Sequence, residues 1–306
     1  MSLNSSTVLM VPPSTFQYNP ETAATNMFQS TLPIHHLKDL ALKEFNTMVS
    51  NLKEQGINVL TLHQNKILPD AVFPNNWFST HLDENENTVL IIYPMLAANR
   101  QAEVNIDELI NVLNKAKIQV HQIIDLRNND NEILEGTGSL VLDRENSILY
   151  ASVSSRTSPI MIDRVARILN YKPIIFDSFD EHDKPIYHTN VMLSITNKYA
   201  IICMDSIKDK LQKSALLHHF KLTNKLVINI NYDQVKHMCG NVLELYNAHE
   251  ESLLILSHQA KLNFTNEQLN TIQKYSRLVP VEIDTIETIG GGSARCMMAE
   301  IYSRVL

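Results

Sequence analysis

Glycine is scarce in this chain, 7 residues in 306, and three of the seven stand consecutively at Gly290-Gly291-Gly292. Their placement matches neither a phosphate-binding loop nor a dinucleotide fingerprint. Cysteine is scarcer still. Cys203, Cys239 and Cys296 lie far apart, and neither they nor the histidines show the ligand spacing of a zinc site, so no metal and no cofactor is expected. Such sparse cysteine use fits a reducing, cytoplasmic setting. There is no block rich in Lys or Arg, and the net charge is −7, which argues against a nucleic-acid partner. No apolar run approaches the roughly 20 residues of a membrane span, and Met1 to Thr7 is polar, without the apolar centre of a secretory signal. What remains is a soluble chain of ordinary globular composition, long enough for one large domain or two smaller ones.

Against this background a repeat stands out. Short apolar segments introduced by Asn or Gly recur at Asn76-Trp77-Phe78-Ser79, Gly138-Ser139-Leu140-Val141-Leu142, Asn190 to Ile195 and Asn241 to Leu245, and a fifth begins at Cys296. The steps between them are 62, 52, 51 and 55 residues. Each of the first four is followed by a second β-rich run (Val89–Tyr93, Ile148–Val153, Ala200–Met204, Leu253–Leu256), consistent with a hairpin. A helical pattern comes next, at Val104–Lys115, Ser158–Leu169, Ser206–Phe220 and Asn266–Tyr275. In the first of these, Ile106, Leu109, Ile110 and Leu113 mark one apolar face. A third strand closes each unit at Gln119–Ile124, Pro173–Phe176, Leu226–Ile230 and Val279–Ile283. The unit is ββαβ. The fifth copy is split: its first strand is the Cys296 segment, and the remainder is the strand Thr7–Val11, a helix over Leu37–Glu54 and the strand Ile57–Leu62. A ring closed by its two ends follows, because radial repetition leaves few exposed sheet edges. The alternative is two unrelated α/β domains.

In such a ring the starts of the entry strands converge on the axis, so reactive residues at those starts share one pocket. The entries supply Asp70, Phe73, Asn75 and Asn76; Glu135, Gly136 and Gly138; His188 and Asn190; Cys239 and Asn241; and Gly291 through Cys296. A thiol beyond a glycine-rich loop is well placed to act as a nucleophile, and a histidine in register with it supplies a general acid/base. Glu135 either holds a substrate N–H group or orients the histidine. Taken singly, Cys296 reads first as a buried core cysteine, and Glu135 as a surface carboxylate beside a turn; the repeat is what favours the site. Cys203 and Cys239 read as structural.

These residues resemble the pentein superfamily of guanidino-group-modifying enzymes, which includes arginine deiminase, dimethylarginine dimethylaminohydrolase and the amidinotransferases. Pro69-Asp70-Ala71-Val72-Phe73 resembles a Pro-Asp-x-Val-Phe stretch of the dimethylarginine hydrolases. Ser155-Arg156-Thr157 resembles their segment carrying an arginine for the substrate α-carboxylate. The resemblance implies an α/β-propeller of five ββαβ blades, its first blade closed by the C-terminal strand, with residues 1–306 as a single catalytic domain. It implies Cys296 as nucleophile, His188 as acid/base and Glu135 as a ligand of the planar head group, with substrate contacts from Asp70, Phe73, Asn75, Asn76, Arg156, Asn190, Asn241 and Gly291. The chain departs from those hydrolases at Pro12-Pro13, where an arginine is expected, and at Asn75-Asn76, which replaces an acidic pair. Guanidinium offers donors only, whereas a neutral ureido group also carries a carbonyl acceptor that an amide edge matches. The Phe-Pro-Asn-Asn-Trp form resembles the citrulline-hydrolysing branch. The leading expectation is therefore a citrulline ureidase giving ornithine, CO2 and ammonia through a covalent Cys296 intermediate, with a small amino acid as its partner, oligomeric or not. Arginine deiminase, a dimethylarginine hydrolase, an amidinotransferase and a catalytically silent amino-acid binder are the alternatives.

Overall fold

Strands in this chain come in threes. The computed structural model describes residues 5–64, 66–128 and 132–303, so Met1 to Asn4 of the polar N-terminal stretch lie outside it. Among the described residues, fifteen strands form five three-stranded sheets. One sheet contains β1 (Thr7–Met10) and β2 (Asn58–Thr61), and the next is β3 (Phe78–Leu82), β4 (Thr88–Ile92) and β5 (Val120–Asp125). A third comprises β6 (Val141–Asp143), β7 (Ile148–Ser152) and β8 (Lys172–Phe176), and a fourth β9 (Leu193–Ile195), β10 (Tyr199–Ile202) and β11 (Leu226–Asn229). The fifth is β12 (Leu243–Tyr246), β13 (Ser252–Ser257) and β14 (Arg277–Val281), and β15 (Ala299–Glu300) returns to the first.

Within every sheet the middle strand pairs antiparallel with one neighbour and parallel with the other. A hairpin makes the antiparallel pair, and a helical crossover makes the parallel one. In the first sheet no hairpin joins the antiparallel pair. β15 lies against β1 with Val8 opposite Glu300 and Leu9 opposite Ala299, so the end of the chain completes the blade in which it began. The Ser5 hydroxyl reaches the Ile301 carbonyl at 3.1 Å, fastening the closure.

The crossover helices carry the expected apolar faces. Leu37–Glu54 buries Ala41, Phe45, Met48 and Leu52, a 4-3-4 spacing that keeps one stripe inward. Ile106–Lys115 begins where the Asn105 side chain caps the Glu108 N–H at 3.3 Å, and it buries Leu109 and Leu113. The crossover read as Ser206–Phe220 starts later, at Lys210, because Asp209 caps Leu211 and Gln212. The fourth crossover is divided into His258–Asn263 and Asn266–Ile272, the second opened by a Thr265/Gln268 capping box.

The entries differ from plain strand starts. Short helical turns at Pro74–Asn76, Gly136–Ser139 and Thr189–Met192 precede β3, β6 and β9. These turns let the chain converge on the axis. Gly136 has φ +44°, and a Cβ there would lie 2.5 Å from the Asn75 carbonyl. Only glycine permits that approach.

Candidate active site

Cys296, His188 and Glu135 are delivered by three different blades. Cys296 follows the glycine loop and a tight turn in which its N–H bonds to the Ser293 carbonyl at 3.0 Å. His188 sits just before the turn Thr189–Met192, and Glu135 just before Gly136–Ser139. All three are at least 95% buried.

Cys296 and His188 border one narrow cavity, together with Asp70, Phe73, Asn76, Arg156 and Gly291. The Glu135 carboxylate stands behind the imidazole. Its Oε2 lies 2.8 Å from His188 Nε2, and its Oε1 accepts the Leu96 N–H at 3.0 Å. Burial alone would raise the Glu135 pKa, but the Arg156 guanidinium and His188 reverse this and hold the carboxyl well below its usual range. His188 is lowered to about 4, chiefly by burial, against the opposing pull of Glu135. An ionised Glu135 fixes the proton of the neutral imidazole on Nε2 and leaves Nδ1 as the basic nitrogen. Gly138 makes room for it, since a Cβ there would sit 2.8 Å from His188 Nδ1 and 2.3 Å from Asn76 Nδ2. Glu135 thus lies against the far nitrogen of the imidazole and does not border the cavity.

Asp70 offers an open acceptor. Its Oδ2 takes bonds from Asn19 Nδ2 (2.7 Å) and the Thr22 hydroxyl (2.9 Å), while Oδ1 is buried without a partner. Burial raises the Asp70 pKa against the pull of Arg100, the signature of a carboxylate short of a cation. Asn76 presents the opposite polarity. Its Oδ1 accepts Arg100 Nη1 at 2.9 Å, which leaves Nδ2 as a buried donor without a partner. Asn75, expected beside it, does not border the cavity. Neighbouring residues in a tight turn point in different directions; the Asn75 carbonyl takes the Thr137 hydroxyl at 3.3 Å and its amide is buried without a partner.

Arg156 borders the cavity, yet its donors are engaged by the Thr25 hydroxyl (Nε, 3.0 Å), the Thr22 carbonyl (Nη2, 3.0 Å) and Glu135 (Nη1, 3.4 Å). Its guanidinium also lies 4.7 Å over the Tyr187 ring. Asn190 and Asn241 approach the sulfur: their Nδ2 atoms lie 3.6 and 3.3 Å from Cys296 Sγ. Further along the same inner strands a second, polar cavity opens, bordered by Asn190, Ser194, Glu244, Arg295 and Tyr302. Asn190 borders this second space, and it meets the first through its contact with the sulfur; neither it nor Asn241 borders the Cys296 cavity itself. Cys203 and Cys239 are buried away from the cavity, and burial raises both thiols.

Several contributors were not read from the sequence. The segment from Asn19 to Ser30 covers the cavity: Asn26 Nδ2 bonds the Gly290 and Gly291 carbonyls (3.2 and 3.3 Å), and Gln29 Nε2 bonds Gly290 (3.2 Å). Tyr187 donates to the Gly291 carbonyl at 3.0 Å. Arg100 is held by Glu103 through two bonds of 2.8 and 3.0 Å and also donates to the Phe73 carbonyl. The repeat carried a signal for Arg100, because it follows β4 as Arg156 follows β7. Among the described residues no group of three or more His, Cys, Asp or Glu is arranged to hold a metal, and no helix is long and apolar enough to cross a membrane.

A family model described as N,N dimethylarginine dimethylhydrolase, eukaryotic, matches residues 12–303. No curated protein matches the chain in sequence. Among solved structures it is similar to the N-terminal domain of ArgZ, an arginine dihydrolase of the ornithine–ammonia cycle in cyanobacteria. That match has 15% identity and a TM-score of 0.75 over 98% of this chain and 99% of that one. AgrE in complex with ornithine and NAD+ matches at 19% identity and TM-score 0.72, over 98% of this chain and 40% of that one. A dimethylarginine dimethylaminohydrolase adduct matches at 13% and 0.65, over 97% and 100%. At these identities the shared feature is the fold.

Proposed function

The chain belongs to the N,N dimethylarginine dimethylhydrolase family and is a guanidino-group-modifying hydrolase of the pentein fold; from that premise we propose that it hydrolyses an arginine-type guanidino group through Cys296. The observation that carries this reading is the unpartnered Oδ1 of buried Asp70, across the cavity that Cys296 and His188 also border. A guanidinium cation supplies the N–H donor and the positive charge that this oxygen lacks.

Neutral His188 takes the Cys296 proton on Nδ1, and the sulfur bonds to the guanidino carbon. The imidazolium then protonates one terminal nitrogen, which leaves as ammonia or, from a methylated arginine, as a methylamine. His188 next accepts a proton from water as its oxygen attacks the S-bound carbon, and the carbon–sulfur bond breaks to give citrulline. The substrate α-carboxylate pairs with Arg156 by displacing the Thr22 carbonyl and the Thr25 hydroxyl.

Asn76 favours a second reading. Its free Nδ2 has nothing to bind on a guanidinium but matches a ureido oxygen, so the same cavity is suited to carry citrulline to ornithine, CO2 and ammonia. The test is a panel of arginine, dimethylarginine and citrulline, assayed for citrulline, ornithine and released amines, with Cys296→Ser as control. Consumption of a cationic substrate, abolished in Cys296→Ser, is the expected result. Consumption of citrulline alone would overturn the guanidino reading and leave the ureidase. Transfer of the amidino group to an added amine would identify an amidinotransferase instead.

A further inference from the structure

Nucleophilic cysteines are commonly activated by a neighbouring cation, but among the described residues no charged donor lies within hydrogen-bond distance of Cys296 Sγ. Two neutral amides do: Asn241 Nδ2 at 3.3 Å and Asn190 Nδ2 at 3.6 Å. Both residues are 1% exposed. The orientation of Asn241 is fixed independently of the sulfur, because the same Nδ2 donates to the Asn190 main-chain carbonyl at 3.0 Å. A flipped amide would set oxygen against oxygen there. The close approach is also built in. Gly240, immediately before Asn241, packs so tightly that a Cβ would lie 2.2 Å from the Val191 carbonyl. Keeping both nitrogens toward the sulfur leaves Oδ1 of Asn190 and of Asn241 buried without partners. Buried acceptors are rarely left unpaired unless the arrangement serves something else.

We propose that Asn190 and Asn241 form a paired-amide cradle that stabilises the Cys296 thiolate, and that both are catalytic residues acting on the nucleophile itself. The inference rests on the reading of Cys296 as nucleophile and deepens it. It accounts for a mismatch in the site: His188, buried more than the opposing pull of Glu135 offsets, is a weak base for a thiol proton. Hydrogen bonds to the anion lower the cost of moving that proton from Sγ to Nδ1. The charged and titratable groups sharing the cavity with the sulfur are Asp70, Arg100, Arg156, Tyr187 and His188. Glu135 lies behind the imidazole, and Glu287 bonds the Ser293 hydroxyl beneath the Cys296 turn. All of these are retained when an asparagine is replaced, so a change in thiol reactivity reports the amides.

The experiment is the pH dependence of Cys296 alkylation by iodoacetamide in the substrate-free protein. The sulfur–carbon bond forms as iodide leaves, and the product is read by peptide mass so that Cys203 and Cys239 are scored separately. Relative to wild type, the pH of half-maximal rate is expected to rise by about one unit in Asn241→Ala, roughly a tenfold loss of rate below the midpoint. It should rise further in Asn241→Asp, where a carboxylate replaces the donor, and less in Asn190→Ala, which removes the longer contact. Turnover of arginine should fall in parallel and recover at higher pH with little change in KM. If Asn241→Ala does not fold, Asn190→Ala carries the same test. Midpoints coinciding with wild type, or lost turnover that higher pH does not restore, would overturn the cradle. Retained arginine turnover by Cys296→Ser would instead remove the nucleophile reading on which it stands.

Discussion

At the scale of single residues, the site is a matching problem between one free acceptor and one free donor. Asp70 Oδ1 has no partner, and neither does Asn76 Nδ2. Replacing Asp70 by Asn removes the charge and keeps the shape, so it separates cationic from neutral substrates. The kcat/KM for arginine is expected to drop about a hundredfold, the size of a lost charge-assisted hydrogen bond, and that for citrulline less than about tenfold. Equal losses on both would remove Asp70 from the head group. His188 makes a prediction about stability. Its pKa is about 4 folded, against an ordinary 6.5 unfolded. The unfolded chain therefore binds the proton first as pH falls, and stability is lost between about pH 6.5 and 4. Over that window a shift of this size is worth about 3 kcal/mol. His81, lowered by burial and by Arg144, adds to the same slope. Urea midpoints measured across that range should fall in wild type and fall less steeply in His188→Asn. Parallel slopes would show that His188 titrates normally.

Cys296, His188 and Asp70 were legible in the sequence because each stands at a repeat entry, and the repeat brings entries together. Asn75 and Asn76 part company for a local reason that the sequence does not display: adjacent side chains in a tight turn diverge, and of the two Asn76 borders the cavity. The two candidate roles of Glu135 are equally consistent with its position in the sequence; the 2.8 Å bond to His188 Nε2 favours the orienting one.

At the scale of elements, strands and crossover helices were readable from periodicity, while the segment from Asn19 to Ser30 was not. It contains only the short helix Pro20–Ala23 and works through polar contacts to residues more than 250 positions away, such as Asn26 to Gly290. No local pattern encodes such contacts. The helix Asp284–Gly290, which delivers the glycine loop, depends on a similar long-range bond. Its N-cap, Ile283, offers no side-chain acceptor, and the Thr285 and Ile286 N–H groups are taken instead by Glu44 at 2.8 and 3.1 Å. Glu44 lies on the Leu37–Glu54 helix, so one carboxylate ties two elements together and meets the positive end of a helix dipole. Glu44→Ala should cost about 1 kcal/mol in urea unfolding. It should also accelerate hydrogen exchange in 284–292 beyond its effect on the rest of the chain. A uniform change in exchange would mean that the bond supports global stability only.

At the scale of the whole molecule, the architecture makes the position of the chain ends an accident of one blade. Four sheets join their antiparallel pair by a hairpin, and the fifth joins β15 to β1 by pairing alone, with Ser5 and Ile301 in direct contact. Covalent continuity at that point is therefore not what holds the ring. The Asp83–Asn87 turn between β3 and β4 is exposed and stabilised by its own bonds, the Asn85 and Asn87 N–H groups donating to Asp83 at 2.8 Å. A circular permutant with Ser303 linked to Ser5 through a short flexible linker, and opened within this turn, retains every strand pair and every residue bordering the Cys296 cavity. It should fold, unfold cooperatively within a few degrees of wild type, and keep arginine turnover within about tenfold, since exposed turns tolerate such openings. Deleting everything after Met298 gives the opposite case. No residue bordering the cavity is lost, but β1 is left with an unpaired edge and the Tyr302 N–H bond to the Thr80 hydroxyl disappears. That chain should aggregate or lose activity. A permutant that fails while the truncated chain survives would mean that blade order along the sequence, and not closure of the ring, positions the site.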